Sequence, residues 1–437
     1  MAESIGRPRS STSMIPNVGR IALLVIVGSI ATLSASLARD GALAGSSGDF
    51  EQRMQRIVNG LRAATAGEPP MRLAGRMNEL HVPGVSIAVI HGGIVEARGF
   101  GSATIGGPPV TPETLFQAAS ISKPVTAVAA LALVQAGNLD LDDDVNRSLK
   151  SWRIPVNSFT NQSQVTLRRL LNHSAGITVP YFPGYPVGAP IPSLVDVLNG
   201  ASYYERVRNL LARRMGWLAA TPARRGRAPV NTAPIVVDHE PGTRFEYSSG
   251  GYTIVQQLLI DVTGRPFPQL LEELVLKPFG MTHSSFLQPL PKNDAPMAAT
   301  PYRATGAPVS GGPHIYPELA AAGLWTTPTD VAHFALGLVH AWTGQDTTVL
   351  SQATALQMLT PGLGNYGLGP IVLGVAPHRR FLHSGVNEGF VSLMTMFENG
   401  DGAVIMTNGD QGGQLANEIM YSIATEYDWS DGQPKVH

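Results

Sequence analysis

The sequence predicts an α/β fold: an antiparallel sheet built from both chain ends, with flanking helices and an inserted, mostly helical lobe. Three features carry that expectation. VPGVSIAVIHGGIVEARGFG, residues 82–101, is two apolar runs around Gly92-Gly93, the pattern of a β-hairpin. From about Tyr366 strand-like text returns, as YGLGPIVLG, RRFLHSG and GFVSLMTMFENGDGAVIMTNG. Between these ends lie runs with helical spacing. The sheet region is expected at about 50–105 and 320–430 and the helical lobe at about 106–319, all within one domain from 45 to 437.

At the N-terminus, Arg7, Arg9 and Arg20 precede an uncharged run from Ile21 to Ala38, and ALA at 42–44 fits a signal-peptidase site before Gly45. Residues 1–44 therefore read as a signal peptide. Because 21–38 is just long enough to span a bilayer, an uncleaved membrane anchor is the competing reading. Either one exports the rest of the chain, to the periplasm or beyond. Phe50, Met54, Ile57, Val58 and Leu61 recur at the spacing of a first helix. LFQAASISKPVTAVAALALVQAGNL is almost continuously apolar and stops at Gly137, the mark of a buried helix with a glycine end. VTLRRLLNHSAGI reads as a shorter helix and turn. The proline-rich stretch 178–192 cannot be regular structure, and the arginines of 203–228, around Leu210, Leu211 and Trp217, suggest a surface helix and a basic loop. GGYTIVQQLLIDVTG and QLANEIMYSIATEY are helical patterns, and no internal repeat is present.

Composition narrows the chemistry. A net charge of -1 over 437 residues argues against nucleic-acid binding. The chain has no cysteine, which removes disulfides, thiolate nucleophiles and cysteine-ligated metals. Its 11 histidines form no H-x-x-x-H or H-E-x-x-H pair, so neither a metal nor another cofactor is expected. No G-x-S-x-G occurs, so a serine-elbow hydrolase is not indicated.

The chain holds five lysines, and one of them, Lys123, stands three residues after Ser120 at the mouth of the apolar helix. That spacing puts both side chains on one helix face. Pro124 is tolerated only in a first turn, which sets the helix start at about Ser120, with the turn tightened towards 3₁₀. Ser120 N–H is then one of the unpaired donors of a helix N-terminus. A serine hydroxyl needs a base, and a lysine stripped of water by AVAALALV can serve as one, whereas an arginine never titrates usefully. A lone S-x-x-K is equally well a structural helix start, and two later stretches add to it. PGTRFEYSSGGYTI places Tyr247 in a turn before a helix, with Ser249 two residues on. RRFLHSGVNEGF places His383, Ser384 and Gly385 at a strand end, where Gly385 permits close approach and Val386 N–H can face a carbonyl. Tyr247 and His383 each also make sense as buried, hydrogen-bonded core residues.

Taken in order, these motifs resemble the serine β-lactamase and penicillin-binding-protein superfamily. The nearest branch is the class C β-lactamase-like hydrolases, with family VIII esterases and D-amino-acid peptidases. The resemblance spans roughly residues 50–430 and includes VTLRRLLNHSAGI, LVLKPFGMTHSSF and AAGLWTTPTDVAHFA. It implies a β-lactamase-like fold, with Ser120 acylated, Lys123 as its proton partner and Tyr247 passing a proton to the leaving group. It further implies an oxyanion hole of the Ser120 and Val386 N–H groups, with His383, Ser384 and Gly385 on the strand beside the substrate. Two departures bear on substrate. Ser249 stands where the family often has asparagine, so its grip on a substrate amide and on Lys123 is expected to be weaker. His383 stands where β-lactamases have lysine, so less fixed charge is available for a carboxylate. The expected function is an exported serine hydrolase of small esters or amides. A β-lactamase or D-alanyl carboxypeptidase acting on cell-wall peptide, and a silent peptidoglycan-binding or scaffold homologue, remain as alternatives. Tyr181, Phe182, Tyr185 and Trp217 are candidate pocket aromatics.

Overall fold

The structure is a computed structural model describing residues 48–63, 69–200 and 230–429. The expectations for residues 1–44, for the arginine-rich stretch and for Trp217 therefore lie outside the described residues. Among the described residues no helix is long and apolar enough to cross a membrane. The chain divides into two units between Gln55 and Arg56, within a helix, α1, over 48–59. Of the smaller unit only residues 48–55, the start of that helix, are described.

The larger unit, from Arg56 onward, is organised on a six-stranded antiparallel sheet. Its strands are β1 (Gly84–His91), β2 (Ile94–Gly101), β5 (Ile371–Leu373), β6 (Arg380–Asn387), β7 (Phe390–Phe397) and β8 (Gly402–Thr407). Their order is β2-β1-β8-β7-β6-β5, so the C-terminal strand β8 lies against the N-terminal strand β1. The hairpin closes as its sequence suggests. His91 pairs with Ile94, and Gly92 and Gly93 take φ of +57° and +79°, the left-handed pair that a two-residue turn requires. The strands themselves span 84–101 and 371–407, narrower than the expected sheet regions, which also contain helices of the sheet faces.

β1 and β7 are buried almost throughout because both faces of the sheet are covered. Ala88, Ile90, Met394, Met396, Val404 and Met406 join the main core, which includes α7 (Pro328–Thr343). The alternating Ile87, Val89, Leu393 and Ile405 are also buried, on the side of α8 (Gly412–Glu426) with its Leu415, Ile419 and Ile423. Thr327 caps α7 by accepting Asp330 N–H at 3.1 Å, with Pro328 in the first turn.

The lobe between the sheet halves contains α3 (Ser122–Gln135), α4 (Leu167–Leu171), α5 (Ser249–Thr263) and the single-turn α6 (Leu319–Ala322). The α3 segment is largely apolar and is buried on every side over its first ten residues, Ser122 to Leu131. A two-stranded ribbon, β3 (Phe116–Gln117) with β4 (Trp325–Thr326), ties the entrance of α3 to the segment that follows α6.

One ion pair fastens the chain ends together across the sheet's outer layer. Arg76 of α2 (Leu73–Glu79) grips Glu418 of α8 with both forks, at 2.7 and 2.9 Å, with only 11% and 7% of the two side chains exposed. A planar guanidinium matched to both carboxylate oxygens is a strong form of this contact; Arg76 also meets Glu79 of its own helix at 2.7 Å, so loss of Glu418 leaves it only that exposed partner in place of the buried one. Glu418→Ala is expected to cost about 3 kcal/mol in urea unfolding; a loss below about 1 kcal/mol would mean that water reaches Arg76 easily.

Candidate active site

The entrance to α3 is held from three sides. Ala118 N–H donates to Leu324 O at 2.9 Å, and Ser392 Oγ donates to Ala118 O at 2.7 Å. Ser122 Oγ donates to Ala119 O at 2.6 Å and accepts Leu324 N–H at 3.0 Å. Within this frame residues Ala119–Ile121 form a 3₁₀ turn and the α-helix proper begins at Ser122, two residues later than the sequence suggested. Pro124 accordingly falls in the first α-turn, where its missing N–H costs no bond. Ala119, immediately before Ser120, has φ of +50°, a conformation that costs a non-glycine residue of order 1–3 kcal/mol and persists only where the surroundings impose it.

Ser120 is partly exposed, and Lys123 lies directly beneath it, wholly buried. Lys123 Nζ donates to Ser120 Oγ at 2.9 Å and to Ala321 O of α6 at 2.9 Å. Its remaining surroundings are aromatic, with Nζ 5.0 Å from the centre of the Tyr247 ring and 5.7 Å from that of Tyr252. Burial alone pulls its pKa from 10.5 down to about 7, so that the neutral amine is populated near neutral pH. The amine is thus poised to take a proton near neutral pH.

Tyr247 lies in the turn before α5 with its phenol at the same place. Burial raises its pKa, the nearby Tyr366 adds to the rise, and a hydrogen bond with Ser120 opposes it, so the phenol stays protonated. Around it stand His173 (ring centres 4.3 Å apart), Tyr366 (6.1 Å) and His383 (6.4 Å). His383 is buried, its Nδ1 lies 2.7 Å from Ser384 O, and burial followed by the Lys123 charge depresses its pKa to about 3. It is a neutral ring at any ordinary pH.

β6 runs alongside the 3₁₀ turn. Pairing with β5 ends at Leu382, which leaves the rest of this edge to meet Ala118 and Ser120. At Gly385 the two backbones come so close that a Cβ would lie 2.2 Å from Ala118 O and 2.8 Å from Ser120 N. The residue after this glycine is Val386, so the arrangement brings its backbone beside that of Ser120, as an oxyanion hole requires.

The geometry brings together Ser120, Lys123, Tyr247, His383 and Gly385, with Val386 next along β6, and it corrects the assignment of two residues, Ser249 and His383. Ser249 does not reach for Lys123 or a substrate amide; its hydroxyl donates to Pro180 O at 2.8 Å and ties down the proline-rich segment. His383 is beneath the site and not open to solvent, because inward positions alternate along β6 and it occupies one of them. Ser384 takes an outward position and is exposed, as is the Val386 side chain at 62%. Of the candidate pocket aromatics, Tyr181 is exposed at 56%, whereas Phe182 and Tyr185 are core residues. The sequence pattern did not mark Tyr252, Tyr366 or the Ala321 carbonyl. The first two read as ordinary core aromatics, and a backbone acceptor carries no side-chain signal.

For a metal, Asp238, His239 and Glu246 set three ligand atoms within 4.8 Å of one another. The Arg244 guanidinium already stands among them, 3.2 Å from His239 Nδ1 and 2.8 Å from Glu246 Oε2. A positive group in that position does not suit a cation site.

The family model described as Beta-lactamase matches residues 71–425. The chain belongs to that family. PbpX of Bacillus subtilis (strain 168) is 26% identical over 365 residues, covering 80% of this chain and 77% of that protein. Other relatives extend well beyond the shared stretch, which spans 62% of one and 42% of another. Among solved structures, the octameric penicillin-binding protein homologue from Pyrococcus abyssi aligns with a TM-score of 0.59 at 25% identity, over 82% of this chain and 76% of that one. The D-amino acid amidase of Ochrobactrum anthropi SV3 aligns at 0.55 and 21%, over 81% and 97%. The chain is thus a member of the β-lactamase-like serine hydrolase superfamily, with that superfamily's fold.

Within this fold, Gly385→Ala is expected to push β6 away from Ser120 and lower kcat by about 10²-fold, as loss of one oxyanion donor does, with little change in KM. Steady-state kinetics on any turned-over ester checks it, and unaltered kcat would mean that the strand edge plays no part.

Proposed function

We propose that the protein is a serine hydrolase that forms an acyl-enzyme on Ser120 and acts on small, uncharged esters or amides. The observation carrying this reading is the 2.9 Å contact of Ser120 Oγ with a wholly buried lysine whose pKa is drawn to about 7. The neutral amine of Lys123 takes the hydroxyl proton as Oγ bonds to the carbonyl carbon. The carbonyl oxygen becomes an oxyanion facing the Ser120 and Val386 N–H groups. As the carbon–oxygen or carbon–nitrogen bond to the leaving group breaks, Tyr247 gives that group its phenolic proton and recovers one from Lys123. Water then attacks the acyl-enzyme by the same steps in reverse, releasing the acid and free Ser120.

A preference for substrates without a carboxylate rests on charge. His383 is neutral, and Arg303, close to the end of β6, is paired with Glu388. The amidase likeness concerns the fold, and amides enter here as acyl donors of the same chemistry. The arginine-led apolar run 21–38 supports export, either with cleavage after Ala44 or with the run kept as an anchor.

Phosphonylation by a fluorophosphonate, with loss of fluoride, or acylation by a p-nitrophenyl ester is expected to label Ser120, to vanish in Ser120→Ala, and to rise with pH through about 7 before levelling, because only the neutral amine accepts a proton. Short esters are expected to turn over faster than nitrocefin or D-alanyl peptides. Nitrocefin as the better substrate would overturn the charge argument, and persistent labelling of Ser120→Ala would remove the nucleophile.

Lys123→Met separates function from stability. It is expected to abolish acylation while raising stability by about 1–4 kcal/mol near neutral pH, since an apolar side chain replaces a buried, uncompensated amine. The sign with pH follows from the lowered pKa. Between about 7 and 10.5 the unfolded chain holds a proton that the folded one has released, so wild-type stability from this group rises across that window. The advantage of the methionine variant in chemical denaturation should shrink correspondingly; a constant advantage would mean the amine is not desolvated.

A further inference from the structure

His173 has no part in the steps above, yet it touches Tyr247 from three directions. It follows α4 with φ of +58°, an unusual conformation for a residue other than glycine, although histidine and asparagine are among those that adopt it. Its carbonyl accepts Glu246 N–H at 2.8 Å, and its Nδ1 accepts Ser248 N–H at 3.1 Å. The residues on both sides of Tyr247, Glu246 and Ser248, therefore both donate their backbone N–H groups to His173. Its ring lies 4.3 Å from that of Tyr247 at 33°, and meets the Tyr366 ring at 5.0 Å and a right angle.

The tautomer follows from these bonds. Nδ1 accepts a backbone N–H, so the proton of the neutral ring sits on Nε2, which is buried without a hydrogen-bond partner among the described residues. A buried N–H left unpaired is a cost that a phenylalanine would avoid. What phenylalanine lacks is the acceptor at Nδ1. Ser248 N–H has particular need of one, because Ser248 is the N-cap of α5 and its hydroxyl is already occupied, accepting Gly251 N–H at 2.9 Å and donating to Thr178 O at 2.8 Å.

We propose that His173 is a positioning residue, a permanently neutral acceptor that holds the turn 246–248 so that the Tyr247 phenol stays over Ser120 and Lys123. It neither gives nor takes a proton in the reaction. The proposal deepens the function above and rests on the reading of Tyr247 as the proton carrier to the leaving group.

The test is a double-mutant cycle on two esters of one acid, with p-nitrophenol and a simple alcohol as leaving groups. The alcohol needs a proton to depart and nitrophenol hardly does, so loss of a correctly placed phenol weighs on the alkyl ester. His173→Phe and Tyr247→Phe are each expected to lower the single-turnover acylation rate with the alkyl ester by ~10²-fold and that with the nitrophenyl ester much less; deacylation, which uses the same phenol for both esters, does not enter this rate. The double variant should be little worse than Tyr247→Phe, since misplacing an absent phenol has no further effect. His173→Asn, which accepts this φ and offers an amide oxygen to Ser248 N–H, should recover part of the lost rate and serves as the deciding variant should His173→Phe not fold. Equal losses on both esters in either His173 variant, multiplicative losses in the double variant, or a wild-type acylation rate in His173→Phe would each overturn the positioning role alone. A wild-type acylation rate with the alkyl ester in Tyr247→Phe would instead sink the reading of the phenol, and the role of His173 with it.

Discussion

The site depends on excluding water from one amine. Lys123 belongs to a helix whose neighbouring residues are apolar and buried, and its two hydrogen-bond partners, a hydroxyl and a carbonyl, are both neutral. Two such bonds return about 1 kcal/mol each, whereas an ammonium held away from water loses several. Attraction to the faces of Tyr247 and Tyr252 recovers about 2 kcal/mol more for the charged form, which is not enough. Desolvation wins. The lysine becomes a base at the pH where an exposed one would be a fixed cation.

Holding that amine against a serine requires elements far apart in the chain. The 3₁₀ turn is bounded by β6 on one side and by the α6–β4 segment on another, while Tyr247 comes from the entrance of α5. Two non-glycine residues with positive φ, Ala119 and His173, flank the reacting groups, one next to the nucleophile and one behind the phenol. Strain at such points survives only where packing over-determines the backbone. Here the hydrogen bonds of Ser122, Ser392 and Ser248 supply that packing from the interior. The salt bridge of Arg76 with Glu418 secures the sheet ends on which this frame stands.

What was legible in the sequence depended on the range of the interactions. The hairpin at Gly92-Gly93, the buried helix after Ser120 and the strands from Ile371 on are local patterns of apolar spacing and turn residues, and all appear where the text places them. Ser120 and Lys123 could be paired because their separation of three residues is itself the geometry. The orientation of β6 residues could not be read in this way. Which of His383 and Ser384 points inward depends on the register of β6 against β7 and on the turn it crosses, and both are tertiary facts. Ser249 went astray for a similar reason: its acceptor, Pro180, is 69 residues away along a segment without regular structure. His173 was in plain view in the stretch LLNHSAG, but its importance lies in two backbone N–H groups more than 70 residues later, for which a sequence pattern has no mark.

The same energetic argument bears on whether such a site is silent. A protein that only bound a peptide, or only assembled, would gain from replacing the buried amine with a methionine of similar length, and natural chains lie close to the stability threshold where that gain counts. Lys123 without a counter-charge, the strain at Ala119 and two histidine Nε2 atoms unpaired among the described residues set several local costs in one small region, which supports the proposed reading of proton transfer. A carboxylate-bearing ligand would meet no fixed, unpaired cation in this group of described residues, since Lys123 is wholly buried with its pKa drawn down to about 7, His383 is neutral, and Arg303 is joined to Glu388. The charge that the site can stabilise is instead the transient one on a carbonyl oxygen, at the gap between Ser120 and the β6 backbone where only a glycine fits.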